Sequence, residues 1–553
     1  MDNLRLILWV SAVLLVWACI QTWQHDYAPV KTATAPVAET AAAPPPPVAA
    51  ALPQIPNQPT GTSRVPATPP AQVAAEPAPE SQLVHVRTDV LDIEIDTRGG
   101  DVRSVRLPKY PVHKDHPDIL VQLLSPVAEQ LFLFHTGLRA TEGQPEANHL
   151  TPMHVAQSEY TLADGASDLA VTLSWEAPGE VAVDKTYHFR RGYYGIGLEY
   201  RIRNLGAAPY SAASYLQIQR RHNPPERSYL NVDSYSFTGP VVGDAEKYQK
   251  LKVDKLAEEP FRQEMTKGWI ASIQHHFLAA AIPAGDQKFT YEAAVDQGVY
   301  TLSAIGPVIT VAPGGEGKVS AQLFVGPKLQ SQLDEVAKGL KLTVDYNYLK
   351  LLAQPLFWLL QQIDKVVGNW GWSIIIATFL IKLAFYKLTQ ASGRSMARMR
   401  KLQPRLAALQ ERFKDDRPAL SQAMMEMYKR EKVNPAAGCL PMLIQIPFFI
   451  SYYWVLLESV EMRQAPFALW ITDLSSRDPY FILPLLNAGA MYLQTSLNPP
   501  PPDPMQAKMM KFMPLMFGGI FAFFPAGLIL YYLTNSVLSI LQQWRINKVV
   551  AGD

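Results

Sequence analysis

The chain has 553 residues, a formal net charge of +1 at neutral pH and 48% hydrophobic residues. So neutral a balance gives no electrostatic reason for a nucleic-acid partner. Its two cysteines, Cys19 and Cys439, each sit in or beside an apolar run, which argues against a disulfide framework. No phosphate loop, zinc-protease, nucleophile-elbow or CxxC pattern occurs, so no catalytic residue, metal or cofactor is expected. The apolar residues are clustered, which points to membrane spans carrying a polar domain.

Residues 1–22 contain an apolar run of 17 residues at 4–20, just long enough to span a bilayer. Arg5 precedes it, so the N-terminus is expected inside. No small-x-small site follows, and an uncleaved anchor is expected rather than a signal peptide. Residues 23–82 are rich in alanine and proline, bury too little to fold, and read as a semi-extended tether. From 83 to 345 the texture becomes alternation. Residues 90–96, a turn at Gly99-Gly100 and residues 102–107 predict a hairpin, and 181–189 and 194–203 repeat the pattern. About 260 residues of short strands predict a large all-β sandwich outside the membrane, structural or docking rather than catalytic. His275 and His276, taken as strand neighbours, should point to opposite faces in a structural role.

Residues 346–368 place Leu349, Leu352, Leu356, Leu359, Ile363 and Val367 on one helical face, with Lys350, Gln354, Gln361, Gln362 and Lys365 interleaved. An interfacial amphipathic helix is expected. Residues 369–388 form the second span, with Trp370 and Trp372 at one interface. Lys382 lies about 15 Å inside it. A cation in hydrocarbon costs about 2.5 kcal/mol or more, so Lys382 should face water or protein. The bland alternative is snorkelling toward the headgroups near Lys387. Residues 389–436 are the most basic segment, with eleven Lys/Arg against five acids across 392–435, and are expected in the cytoplasm. Two apolar stripes separated by Asp415, Asp416, Arg417 and Pro418 predict a helical hairpin whose second helix starts at Asp416 or Arg417. Arg398, Arg400, Lys401 and Arg405, with Met424 and Met427, then offer an adaptable recruitment surface, a self-packed pair being the alternative.

Residues 437–458 are the third span, interrupted by Pro441, Gln445 and Pro447. Residues 459–480 form an outer loop with two basic residues, Arg463 and Arg477. The fourth span, 481–497, contains Asn487 and Gln494, and 498–511 is a proline-rich loop ending at Lys508 and Lys511. The run 512–541 is about 45 Å long as one helix, too long for about 30 Å of hydrocarbon. A break at Phe524-Pro525-Ala526-Gly527 gives two spans, 512–524 and 526–544, and a tail, 545–553, with Arg545 and Lys548. Six spans place every basic cluster inside, whereas five would leave the last one outside. Thr378, Lys382, Gln445, Ser451, Asn487, Gln494, Asn535 and Ser536 lie within the last five spans and must face protein or water. Thr378 and Lys382, four apart, share a face. No acid in these spans pairs with Lys382, which favours a hydrated site that receives a negative or polar group from outside.

The stretches KREKVNPAAGC (429–439), PMLIQIP (441–447), RQAPFALWI (463–471), Asp473-Leu474, Asp478-Pro479-Tyr480, DPM (503–505) and FPAGLILYY (524–532) resemble the YidC/Oxa family of membrane protein insertases. Gly268-Trp269 is similar to its Gram-negative form. The resemblance is dense over 370–545 and rests on layout more than motif before that. It implies a polytopic α-helical protein of the bacterial inner membrane, with a five-helix insertase core, a periplasmic β-supersandwich and no enzymatic activity. It would insert and fold integral membrane proteins through a hydrophilic groove open to the cytoplasm and the lipid and closed outside. The implied partners are nascent membrane proteins, the Sec translocon, the ribosome and the phospholipid bilayer. The family's basic groove residue is usually arginine. Lys382 stands at the matching place, with Thr378 and Tyr532 as polar partners beside Gln445, Asn487 and Asn535. Lysine keeps the charge and loses the bidentate fork. Two rivals remain: a membrane-anchored periplasmic carbohydrate-acting enzyme, which needs a carboxylate or histidine cluster in 83–344, and a solute transporter, which needs internal repeats that the chain does not show.

Overall fold

The computed structural model describes residues 53, 81–114, 116–225, 236–346, 349–413, 416–431, 440–497 and 504–552. The expected anchor at 1–22, nearly all of the tether and both cysteines lie outside the described residues.

Alternating sequence becomes strands in three sheets, one of nine strands and two of five. Val181–Arg190 and Gly195–Asn204 pair antiparallel within the larger sheet, with Ile196 opposite Phe189 and Asn204 opposite Val181. The predicted hairpin joins Asp92–Asp96 to Asp101–His113 through Gly99 and Gly100, both left-handed. A Cβ on Gly99 would lie 2.3 Å from the His149 carbonyl oxygen, so only glycine fits that turn. The inward positions, Trp269, Tyr187, Tyr215, Tyr291 and Tyr300 among them, are fully buried.

One polar knot sits inside this apolar core, where the three sheets meet. Asp101 belongs to one five-stranded sheet, His135 and Thr136 to the other, and Lys185 to the nine-stranded sheet. The Lys185 ammonium, fully buried, donates to Asp101 Oδ1 at 3.1 Å and to the Gly99 carbonyl at 2.8 Å. Asp101 also accepts from the Thr136 amide at 3.1 Å and pairs with His135 Nδ1 at 2.9 Å. Burial pushes the Asp101 carboxyl up, but Lys185 and His135 more than offset this and hold it below its ordinary range.

His275 and His276 depart from the expected alternation. They lie in the turn between Trp269–Ile273 and Phe277–Pro283, where side chains do not alternate, and their rings stack at 3.7 Å.

The β-domain contains two short helices, α1 (Val253–Glu258) and α2 (Gln330–Val336). The helical part follows: α3 (Lys350–Val367), α4 (Trp370–Ala384), α5 (Tyr386–Lys401), α6 (Gln403–Arg412), α7 (Arg417–Arg430), α8 (Leu440–Glu458), α9 (Ile482–Ser496), α10 (Pro504–Phe521) and α11 (Ala526–Gly552). Helix α3 buries Ala353, Leu356, Phe357 and Leu360 against α4 and α8, a face rotated from the predicted one, and leaves Leu351, Trp358 and Val366 exposed. Asn369 caps α4 by accepting from the Trp372 amide at 3.1 Å. That helix ends at Ala384, short of the expected 388, and the chain bends by 66° into α5. The bend contains neither proline nor glycine. Gln542 of α11 packs against the bend, donating to Thr389 Oγ1 at 2.8 Å and to the Tyr386 carbonyl at 3.4 Å. Among the described residues no single helix is long and apolar enough to cross a membrane alone; α4 and α5 pass only as a bent pair.

The basic segment holds three helices rather than the two expected. Pro404, in the first turn of α6, splits the first stripe. Asp416 caps α7 by accepting from the Ala419 amide at 3.0 Å, as the Asp-Arg-Pro pattern predicts. The break before α11 falls at 522–525, also as predicted.

Residues 459–480 are a folded plug. Asp478, fully buried, accepts from Trp470 Nε1, the Tyr480 amide and the Leu483 amide, and so starts α9. The Ala526 and Gly527 amides, unpaired donors of α11's first turn, donate to the Ser476 and Leu474 carbonyls at 2.7 and 2.9 Å. The β-domain docks on this plug and on the end of α8. Arg463 Nη2 donates to the Pro111 carbonyl at 2.9 Å, Gln464 donates to the same oxygen at 3.0 Å, and His275 Nε2 meets the Leu457 carbonyl at 3.0 Å. At the centre the buried Lys328 pairs with the buried Glu458 at 3.5 Å, and Ser236 donates to the other Glu458 oxygen at 3.1 Å.

Candidate functional site

Lys382 lies in the last turn of α4, half-buried, where α4 packs on α11. Its ammonium donates to Ser539 Oγ at 2.7 Å. The charge therefore points across to a neighbouring helix and not down toward Lys387. Thr378, one turn earlier on the same face, is 2% exposed and donates to the Ile374 carbonyl at 2.6 Å. Opposite, Asn535 and Ser536 of α11 are buried. Tyr532, a further turn toward the plug, is held between Phe449 and Phe521 at 4.5 and 4.6 Å between ring centres. The Tyr452 hydroxyl of α8 is buried beside Thr378 without a well-aligned hydrogen bond, and its ring stacks on Tyr531 at 4.4 Å.

Thr378 and Lys382 thus stand on α4 and Asn535 on α11, which packs against it, while the Tyr532 ring of α11 contacts α8 and α10. Asn487 stands on α9, which packs on α10 and α11. It is fully buried, its amide 3.8 Å from Met491 Sδ and its Oδ1 without a partner among the described residues. The Gln445 side chain lies outside the described residues. Ser539 is the residue that sequence reasoning missed. Asn535, Ser539 and Gln542 are four and then three apart on an apolar helix, so one polar stripe was there to be found.

In the basic segment Arg398, Arg400, Lys401 and Arg405 are exposed, whereas Met424 and Met427 are half-buried. Arg405 pairs with Glu431 at 2.6 Å, joining α6 to α7, and Arg400 reaches the Leu497 carbonyl at 3.4 Å, at the end of α9.

Two family models match this chain end to end along the described parts. One, described as the YidC periplasmic domain, matches residues 83–359. The other, described as the 60Kd inner membrane protein, matches residues 362–552. The membrane protein insertase YidC of Pseudomonas fluorescens is 44% identical over 558 residues, covering 100% of this chain and 98% of the relative. The chain belongs to the YidC family of membrane protein insertases. The insertase YidC of Pseudomonas putida is similarly 44% identical, over 99% of this chain and 98% of its own. Among solved structures, an active YidC insertase with its first transmembrane domain resolved is 19% identical, covers 83% of this chain and 94% of its own, and has a TM-score of 0.39. A galactose mutarotase related enzyme from Lactobacillus acidophilus is 8% identical over 44% of this chain and 97% of its own, with a TM-score of 0.30. Membership makes this an insertase and not an enzyme, so the carbohydrate-acting and transporter alternatives fall away. It also implies an inner-membrane protein with its β-domain in the periplasm.

Proposed function

We propose that this insertase lowers the barrier to moving polar client segments by means of a wet seam between α4 and α11, with Lys382 as its charge. The observation that carries this reading is the Lys382–Ser539 hydrogen bond. It turns the cation toward a polar wall instead of toward lipid. A polar tail entering bare hydrocarbon leaves its hydrogen bonds unmade, at several kcal/mol each by transfer data. Thr378, Tyr532, Gln445, Asn487 and Asn535 stand in for some of them. The buried Asn487 oxygen, without a partner among the described residues, is in keeping with this reading. Burial of the client's apolar segment, the membrane potential or the ribosome supplies the drive. The membrane carries six spans in this reading, with the basic segment, Lys508, Lys511, Arg545 and Lys548 inside. Helix α3 rests in the outer interface on Leu351, Trp358 and Val366. The exposed arginines of α5 and α6 suit recruitment of the ribosome or the Sec translocon.

The test of the seam uses paired clients that differ only in tail charge. At roughly 8 Å and an effective dielectric near 20, a charge pair is worth about 2 kcal/mol, near thirtyfold before screening. Lys382→Arg should keep insertion, Lys382→Ala should lose acidic-tailed clients first, and Lys382→Glu should be worse because it repels them. Equal insertion of both clients by all variants at matched expression removes Lys382 from the mechanism.

The topology has its own test. Cysteines placed at Leu469, 87% exposed in the plug, and at the C-terminus should label from opposite sides of the membrane in a background lacking Cys19 and Cys439. Labelling from one side would contradict six spans.

A further inference from the structure

We infer that Ser539 is a positioning residue for Lys382, holding its ammonium in the seam and thereby setting the insertase's preference for acidic client segments. The inference rests on the seam reading above and adds a residue to it. Lysine at this place has three donors on a flexible four-carbon stem, in contrast to the planar five-donor fork of arginine. Nothing in the lysine itself keeps the charge at one point. Lys387 follows five residues on, close enough for a free stem to swing toward the same headgroups.

Ser539 removes that freedom by geometry. Its hydroxyl proton is committed, since it donates to the Asn535 carbonyl one turn back at 2.7 Å. That back-bond fixes the χ1 rotamer and leaves the oxygen lone pairs directed outward. The Lys382 ammonium donates to that oxygen at 2.7 Å. Ser539 thus acts as a pure acceptor toward the cation, and two ammonium donors stay available to a client carboxylate. Three residues on, Gln542 ties the same face of α11 to Thr389 and Tyr386 at the bend after α4. The cation is therefore held between two helices that are themselves pinned just beyond it.

Ser539→Ala removes the acceptor, and Ser539→Val removes it while matching the shape of the Ser539→Thr variant. Insertion of the acidic-tailed client should fall about tenfold, the scale of one hydrogen bond to a charged group, and the neutral-tailed client should be unaffected. Ser539→Thr should restore the acidic client, since threonine makes the same back-bond. In a Lys382→Ala background, Ser539→Ala should have no further effect. Equal loss of both clients, or the same loss with Lys382 absent, would show a packing role and overturn the inference. So would wild-type behaviour of Ser539→Val. If Lys382→Ala itself spares both clients, the seam reading fails, whatever Ser539 does; if Lys382→Ala is selective and Ser539→Val is not, only the positioning role fails.

Discussion

Lys328→Ala should loosen the seat of the β-domain on the outer end of α8 by about 3–5 kcal/mol, the cost of stranding one partner of a buried ion pair. Lys328 and Glu458 are 3% and 5% exposed, and the alanine leaves Glu458 with the Ser236 hydroxyl as its partner. Replacing both residues by apolar ones of similar size should recover most of the loss, because desolvation is then no longer incurred. Hydrogen exchange across 459–462 and 340–343 reads the seat directly. Unchanged protection in Lys328→Ala would mean that the Arg463, Gln464 and His275 contacts carry the joint alone. The same joint should respond to pH. Glu461 is only half-buried as a residue, but its Oε2 is sunk without a partner among the described residues, and burial raises its carboxyl to about 7 despite the Gln330 amide. An acid whose pKa is higher docked than free binds more protons when docked. Its contribution to docking is therefore complete below its ordinary range near 4.5, falls as pH rises toward 7, and levels off above. Glu461→Gln should flatten that dependence. A flat profile in the wild type would contradict it.

Asp101→Asn should cost the β-domain a similar 3–5 kcal/mol, by leaving the Lys185 ammonium at the meeting of three sheets without its counter-charge. Unlike the joint, this knot is internal, so the loss should appear as a lower unfolding temperature of the domain signal with the helical signal unmoved. In the wild type the Asp101 contribution is present above its ordinary pKa and fades as pH falls through its lowered value in the folded chain. Lys185→Met with Asp101→Leu should regain stability, since matched apolar volume needs no charge solvation. Equal unfolding temperatures for wild type and Asp101→Asn would show that the His135 and Thr136 contacts suffice.

The strands were legible because one buried face imposes a period of two, and residues 181–189 and 194–203 fall into register as that period requires. The start of α7 at Asp416 and the break before α11 at Pro525 were legible because caps and prolines act locally. What sequence reasoning missed are the effects of residues far apart in the chain. Gln542, which contacts the chain just after the bend at Ala384, lies more than 150 positions away. Ser539 escaped notice because one serine in an apolar helix is commonplace until the cation opposite it is known. The rotated face of α3 has the same origin: α4 and α8 select Ala353 and Leu360, and no periodicity within α3 reveals its neighbours.

The 157 positions between Lys382 and Ser539 also set a schedule. At about 5–20 residues per second, ribosomes need roughly ten to thirty seconds to add that much chain. Through that interval α4 exists with its lysine and without α11. The cation must find an interim partner, and cytoplasmic headgroups are the ones within reach of its stem. The Lys382–Ser539 contact of the proposed seam therefore forms only when α11 arrives. If the proposed seam carries insertion, a partly synthesised copy of this insertase lacks the contact on which a finished copy relies.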